Sequence, residues 1–236
     1  MSQRELLRER YEQHKPKNTR SKRTDKAIYS SMEAVIEYLH HRFKGMLDDY
    51  EITFEKNIKI DYMIKFIKQK GIRLEFDYDF EDRKIIPDGG VLFLNKKSSE
   101  ELKKPLLISE IKVQGTNKKR LKEGKKKQAT GNAIERLGKN LTGIKAMMNH
   151  EKITPFVCFG QGCDFAPEVK TVLAKVHILN EFYDLNRTHV FKKDGNSDNN
   201  YYSPVSMYFR EEEWSEEEMF DIMKEIAETA LRYYIF

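Results

Sequence analysis

The sequence predicts one α/β domain, a β-sheet flanked by helices, and three observations carry that prediction. Helical and strand-like periodicities alternate along the chain. Residues 74–113 are dense in short apolar runs bounded by turn residues. No stretch rich in Gly or Pro divides the chain into two units. With 236 residues, length alone permits one large domain or two small ones, and 39% hydrophobic residues is enough for a sizeable core.

The elements follow in order. Residues 1–23 are polar and basic, ending in Lys15-Pro16-Lys17-Asn18-Thr19-Arg20-Ser21-Lys22-Arg23, and cannot bury enough surface to hold themselves in place. They read as a basic arm, either solvated or ordered by a polyanion, ahead of a domain over 24–236. Thr24-Asp25 reads as a helix N-cap. Ile28, Met32, Val35, Ile36 and Leu39 then recur at helical spacing, which predicts an amphipathic helix to about residue 47. A shorter helix is expected over 61–70, stopped by Gly71. Leu74, Phe76, Tyr78 and Phe80 alternate with charged residues, Ile85-Ile86 and Val91-Leu92-Phe93-Leu94 flank Pro87-Asp88-Gly89-Gly90, and Leu106-Leu107-Ile108 leads into Glu110-Ile111-Lys112-Val113. Together they predict a meander of neighbouring strands. A basic loop at 117–127 precedes a helix from about Thr130 to Asn149, and Thr154–Phe159 reads as another buried strand. A further helix is expected over 167–183, and a loop at Gly195–Asp198. The final helix opens on Ser215-Glu216-Glu217-Glu218, the pattern of a capping box.

Bulk properties narrow the classes. Net charge is only +5 in a chain that is 34% charged, so the distribution of charge matters more than its sum. Cys158 and Cys163 have no further Cys or His nearby at zinc-site spacing, and read as reduced thiols in or beside a buried strand. No apolar run approaches the ~20 residues of a membrane span. The first residues lack the apolar centre of a signal peptide, so a cytoplasmic protein is expected.

The chemistry concentrates on three side chains. Asp88 sits between two strand-like runs, where the glycines after it permit a bulge or bend that re-aims a side chain. Glu110 and Lys112, two residues apart on a strand, project from one face. Charges at the end of the buried run Pro105–Ser109 are costly unless they are paired or bind a metal. Two carboxylates at one site suit Mg²⁺, which takes one or two protein carboxylates and keeps several waters. Lys112 would bring positive charge and hydrogen bonds to a phosphate or an attacking water. An Asp in a turn beside a strand-edge ion pair is the simpler account of such a motif taken alone.

The flanking residues shift the balance. Between 117 and 127 seven positive residues stand against one negative. By itself such a run is a solvated loop. Directly after a candidate metal site it reads as a clamp on phosphates, with Lys118, Lys119, Arg120, Lys125, Lys126 and Lys127 as the contacts. In the helix that follows, Asn132, Glu135 and Arg136 fall at i, i+3 and i+4 near its positive end. Asn can pair with adenine N6 and N7, Arg can reach purine acceptors, and Glu135 can accept from base amino groups or orient Arg136. An ordinary exposed helix start with a Glu–Arg pair also accounts for these residue types.

The strings themselves go further. Gly131-Asn132-Ala133-Ile134-Glu135-Arg136, with Lys139-Asn140 beyond, resembles the recognition segment of the EcoRI type II restriction endonuclease family. Pro87-Asp88-Gly89-Gly90 and Glu110-Ile111-Lys112-Val113-Gln114-Gly115 resemble its two catalytic motifs, in the same order and at similar spacing. Weaker likeness covers Pro155-Phe156-Val157 with Gly162-Cys163-Asp164-Phe165, and Trp214-Ser215 with the final helix, so that it spans about residues 50–236. The resemblance implies a restriction endonuclease-like domain, with a central mixed sheet flanked by helices, of the PD-(D/E)xK type. It implies a homodimer that cuts both strands of a palindromic double-stranded DNA site with Mg²⁺. Asp88, Glu110 and Lys112 would be catalytic, with Asp88 and Glu110 on the metal. Asn132, Ala133, Glu135 and Arg136 would read the inner AATT bases, and cleavage would leave 5′ overhangs. A companion DNA methyltransferase is implied functionally, not as a bound subunit.

The chain also departs from the pattern. Where the family reads Met-Ala-Ala before the Gly-Asn pair, this chain has Gln128-Ala129-Thr130, so the outer base pair is not implied and Gln128 is itself a candidate base contact. A further upstream acid of the family falls at Asn57, with Glu55 and Asp61 as acidic neighbours. Two other readings stay open on the residues: a repair or junction-cutting nuclease with the same metal centre, and a DNA-binding protein that does not cut.

Overall fold

A computed structural model of the chain describes residues 19–69, 71, 83–99, 101–115, 117–126, 132–148, 151, 153–165, 174 and 205–236. The expected strand over 74–80, the helix over 167–183, the loop at 195–198, and the site candidates Lys127 and Gln128 lie outside the described residues.

Among the described residues the core is a five-stranded mixed sheet. Its strands are β1 (Tyr50–Glu55), β4 (Gly90–Lys96), β5 (Lys104–Val113), β6 (Phe156–Gln161) and β7 (Val205–Arg210), which neighbour one another in that order. The pairs β1–β4 and β4–β5 are antiparallel, whereas β5–β6 and β6–β7 are parallel. Strand β5 therefore lies where the sheet changes sense. Its register with β4 shifts beside Leu92 and Phe93, so that Leu92 faces Leu107 while Phe93 faces Pro105. Leu106 is the extra residue of that bulge. A separate ribbon pairs β2 (Ile58–Lys59) with β3 (Lys84–Ile85), so the expected meander is corrected: Ile85 pairs with Ile58, and of the runs described only β4 and β5 are neighbours in the central sheet.

Helices cover both faces, which is why β5 reads as a near-continuous apolar run. On one face lie α1 (Thr19–Arg42) and, last in the chain, α5 (Glu216–Ile235). Ile28, Met32, Val35 and Leu39 of α1 pack with Met219, Met223, Ala227 and Leu231 of α5 over Leu107 and Ile111. On the other face α2 (Ile60–Lys68) brings Met63 and Phe66, and α4 (Asn132–Met147) brings Ile134, Leu137, Leu141 and Ile144, against Val91, Phe93 and Ile108. Among the described residues no helix is long and apolar enough to cross a membrane. Cys158 and Cys163 are free thiols, one buried and one half-buried, as expected.

Two local expectations are corrected. Thr24-Asp25 is not a cap, because α1 already runs from Thr19. Lys and Arg are adequate helix formers, so the helix anchored by Ile28 extends back through them. The Thr24 hydroxyl instead accepts from Gln161 Nε2 at 3.3 Å, and the Gln161 carbonyl oxygen accepts from the Trp214 amide at 2.8 Å. The basic loop is also partly helical: α3 spans Asn117–Lys122. Its Lys, Arg and Leu have high helix propensity, and the buried Asn117 side chain donates to Asp164 Oδ2 at 3.3 Å, tying the start of α3 to the turn after β6.

The capping box on α5 is present. Ser215 Oγ accepts from the Glu218 amide at 3.1 Å, and Glu218 Oε2 accepts from the Ser215 amide at 2.9 Å. The Glu218 carboxylate also takes a hydrogen bond from Arg210 Nη1 at 2.7 Å. The Arg210 hydrogen bonds, followed by those at Ser215, outweigh burial and lower the Glu218 pKa from 4.5 to about 2. A depressed carboxylate pKa adds stability that is present above the unfolded value and lost as pH falls through the folded one. Wild-type protein should therefore lose stability between pH 4.5 and about 2 more steeply than Glu218→Gln, as followed by denaturant titration at each pH. Parallel curves for the two proteins would remove Glu218 from the acid response.

Candidate active site

The sheet brings Asp88, Glu110 and Lys112 together. Asp88 lies on the turn that enters β4, closed by the Gly90 amide donating to the Pro87 carbonyl at 3.1 Å and held to β5 by the Gly89 amide donating to the Ser109 carbonyl at 3.0 Å. The glycines thus make a tight turn here, while the bulge sits further along, at Leu106. Glycine is required twice in this turn. Gly90 has φ +81°, in the left-handed region. A Cβ on Gly89 would lie 2.1 Å from Ser109 Oγ and 2.7 Å from Ile28 Cδ1.

Glu110 and Lys112 follow on the same face of β5. The Glu110 side chain is 1% exposed, that of Lys112 14% and that of Asp88 38%, so the site is buried at Glu110 and opens at Asp88. Lys112 Nζ donates to Asp88 Oδ2 at 2.6 Å and also pairs with Glu110 Oε1. Glu110 Oε2 accepts from the Asp88 amide at 3.0 Å. Burial opposes the charge on Lys112, but Glu110 and Asp88 together override it and hold the pKa above its ordinary value. Burial pushes the Glu110 carboxyl up, against the pull of Lys112, and the charge of Asp88 pushes the same way.

This donor set fits a hard cation. Oxygens of two carboxylates, one from the turn before β4 and one from β5, converge on one positive group, the Lys112 ammonium. Among the described residues no three His, Cys, Asp or Glu side chains gather closely enough to cage a metal. Two carboxylates with the remaining positions left to water is the arrangement that Mg²⁺ accepts and that zinc or calcium cages do not use.

The remaining candidates are placed less closely. Asn132 and Ala133 open α4, where the helix presents its positive end. Glu135 and Arg136 are exposed, while Ile134 and Leu137 anchor the same helix in the core. Lys118, Lys119 and Arg120 lie on α3, and Lys125 and Lys126 are exposed just after it. Arg120 Nε donates to the Lys126 carbonyl at 2.9 Å, folding the basic segment back on itself. Of the acids near the absent upstream position, Glu55 pairs with Lys103. Two residues overlooked in the sequence lie beside the centre: Asp25 and Tyr29 of α1, both subject to the charge of Asp88. Asp25 was hidden by its likeness to a helix cap.

The fold and the site define a class: α/β proteins with an Asp…Glu-x-Lys centre on the strand where a mixed sheet turns from antiparallel to parallel. Within it, the chain belongs to the EcoRI restriction endonuclease family, since the family described as restriction endonuclease EcoRI matches residues 15–235. The chain is also similar to the type II restriction enzyme RsrI of Cereibacter sphaeroides, with 29% identity over 182 residues. That match covers 64% of this chain and 65% of the relative's length.

Proposed function

We propose that the protein is a type II site-specific deoxyribonuclease that hydrolyses phosphodiester bonds in double-stranded DNA with Mg²⁺. The observation that carries this reading is the convergence of Asp88 and Glu110 with Lys112 at the end of a buried strand, in a chain of the EcoRI family. Asp88 and Glu110 would hold the cation, which when bound lowers the pKa of a coordinated water and stabilises charge on the phosphoryl group. Glu110, fixed by the Asp88 amide, sets the inner wall. Lys112, protonated and able to turn from the carboxylates to a phosphate oxygen, neutralises charge that builds on the scissile group. Lys118, Lys119, Arg120 and Lys125–Lys127 hold the backbone of the duplex. Asn132, Ala133, Glu135 and Arg136 read the inner AATT of a palindrome, with Gln128 a contact to the outer pair. A palindrome presents the same half-site twice, which a homodimer matches, and cleavage of both strands leaves 5′ overhangs. The enzyme acts in the cytoplasm, beside a methyltransferase that protects the cell's own sites.

The test is plasmid DNA with Mg²⁺, followed by sequencing of the fragment ends. Discrete ends carrying AATT overhangs are expected. Structure-dependent nicks would point instead to a repair-type nuclease, and intact DNA with a band shift to a binding protein. In the same assay Asn132→Ala should lose about 1–3 kcal/mol of discrimination at adenine. An unchanged site preference would take Asn132 out of base reading.

A further inference from the structure

Helix α1 lies directly on the turn that carries Asp88. Ile28 Cδ1 stands 2.7 Å from the point where a Gly89 side chain would begin, so helix and turn are in contact with no space between them. Asp25 precedes Ile28 by one helical turn and Tyr29 follows it, which places all three on one face of the helix. The Tyr29 ring meets Phe54 edge-on, with centroids 5.8 Å apart. Phe54 in turn covers Gly90, its ring 2.6 Å from where a Gly90 Cβ would stand. Asp25 is half-buried, and among the described residues it has no salt-bridge partner. Burial, then the charge of Asp88, push its carboxyl up, while Lys112 pulls it down. A half-buried carboxylate held near another is unfavourable unless a cation compensates both. Three carboxylates against one ammonium leave two negative charges, the complement of one divalent ion.

We propose that Asp25 is a positioning residue of the cleavage centre, which accepts hydrogen bonds from the water shell of the divalent cation held by Asp88 and Glu110. The inference rests on the nuclease reading above. The role is assigned through water because among the described residues no three carboxylates gather closely enough to form a direct cage. Mg²⁺ retains several waters, and each donates two hydrogens that need acceptors. Groups that orient a metal's ligands from outside raise its affinity without touching it.

The experiment compares wild type, Asp25→Asn, Asp25→Glu and Glu110→Gln on a cleavable duplex. Mn²⁺ binding to the protein–DNA complex is read by electron paramagnetic resonance, DNA binding without divalent ions by fluorescence anisotropy, and single-turnover cleavage as a function of Mg²⁺. Asp25→Asn should weaken Mn²⁺ binding by about 10-fold or more. It should raise the Mg²⁺ needed for half-maximal rate more than it lowers the maximal rate. Metal-free DNA binding should tighten severalfold, because a negative charge facing the substrate is gone. Asp25→Glu should recover part of the Mn²⁺ affinity. Wild-type Mn²⁺ affinity in Asp25→Asn, with Glu110→Gln impaired, would overturn the role of Asp25 and leave the nuclease reading standing. A loss in Asp25→Asn that tracks a fall in melting temperature, and that Glu does not relieve, would reduce Asp25 to a structural part and overturn the proposal. If wild type neither binds Mn²⁺ on DNA nor cleaves, both readings fall.

Discussion

Replacing Glu110 by Gln will abolish cleavage while leaving a folded protein that still binds DNA. The amide is nearly isosteric with the carboxylate, and its oxygen can still accept from the Asp88 amide, while its NH2 then faces Lys112, a donor against a donor that is relieved as Lys112 turns fully to Asp88. What it loses is the charge that, with Asp88, would hold the proposed cation. Lys112 keeps Asp88 as its partner at 2.6 Å, so no ammonium is left buried and unpaired. The folded state should melt within a few degrees of wild type, whereas the single-turnover rate should fall by at least about 10²–10³-fold, the scale of losing one preorganised electrostatic contact. DNA binding by anisotropy in Ca²⁺ or without metal separates loss of chemistry from loss of affinity. A fully active variant would remove Glu110, and with it the assigned centre, from the reaction.

Strand and helix periodicity carried most of the fold. The flanking helices, the capped final helix and the strands β4, β5 and β6 follow from apolar spacing, because these elements bury one or both faces and their sequences must respect it, whereas the mixed sense of the sheet came only with the family resemblance and the short strands β1 and β7 carried no strand signal of their own. The departures share a physical reason. At Thr24 and at Asn117 a polar residue with a strong local preference is claimed by a distant partner, Gln161 in one case and Asp164 in the other. Capping rules see only sequence neighbours, so Thr24 read as a cap, and the run of charge over 117–127 read as a solvated loop although its first residues favour a helix. The site shows the same division. Glu110 and Lys112 are legible because a strand's two-residue period puts them on one face, and Asp88 because its Pro-Gly-Gly surround is rare. Asp25 has no such signature. It joins the centre only because Gly89 lacks a side chain and Ile28 packs onto the bare turn, a contact between residues 61 positions apart.

Removing the lysine charge tests the centre from the other side. Lys112→Met keeps the length of the side chain and leaves Glu110, 1% exposed, facing Asp88 with no cation between them. Breaking a buried ion pair by deleting one partner costs about 3–5 kcal/mol, because the remaining charge keeps its desolvation penalty without its attraction. Melting and denaturant curves in a chelator should show a loss of that order, and cleavage should disappear. The decisive comparison is the response to Mg²⁺. If the proposed divalent ion lies between Asp88 and Glu110, in the wild type it must compete with Lys112 for the two carboxylates, and its stabilising effect is partly cancelled by displacing the ammonium. In the variant it meets unpaired carboxylates, and binding to the native state alone raises stability with ion concentration. Mg²⁺ should therefore restore more stability to Lys112→Met than it adds to the wild type, while cleavage stays absent for want of the positive charge at the phosphate. Equal Mg²⁺ responses in the two proteins would mean that Lys112 does not occupy the cation's place, and the cation would then have to be sought elsewhere than between Asp88 and Glu110.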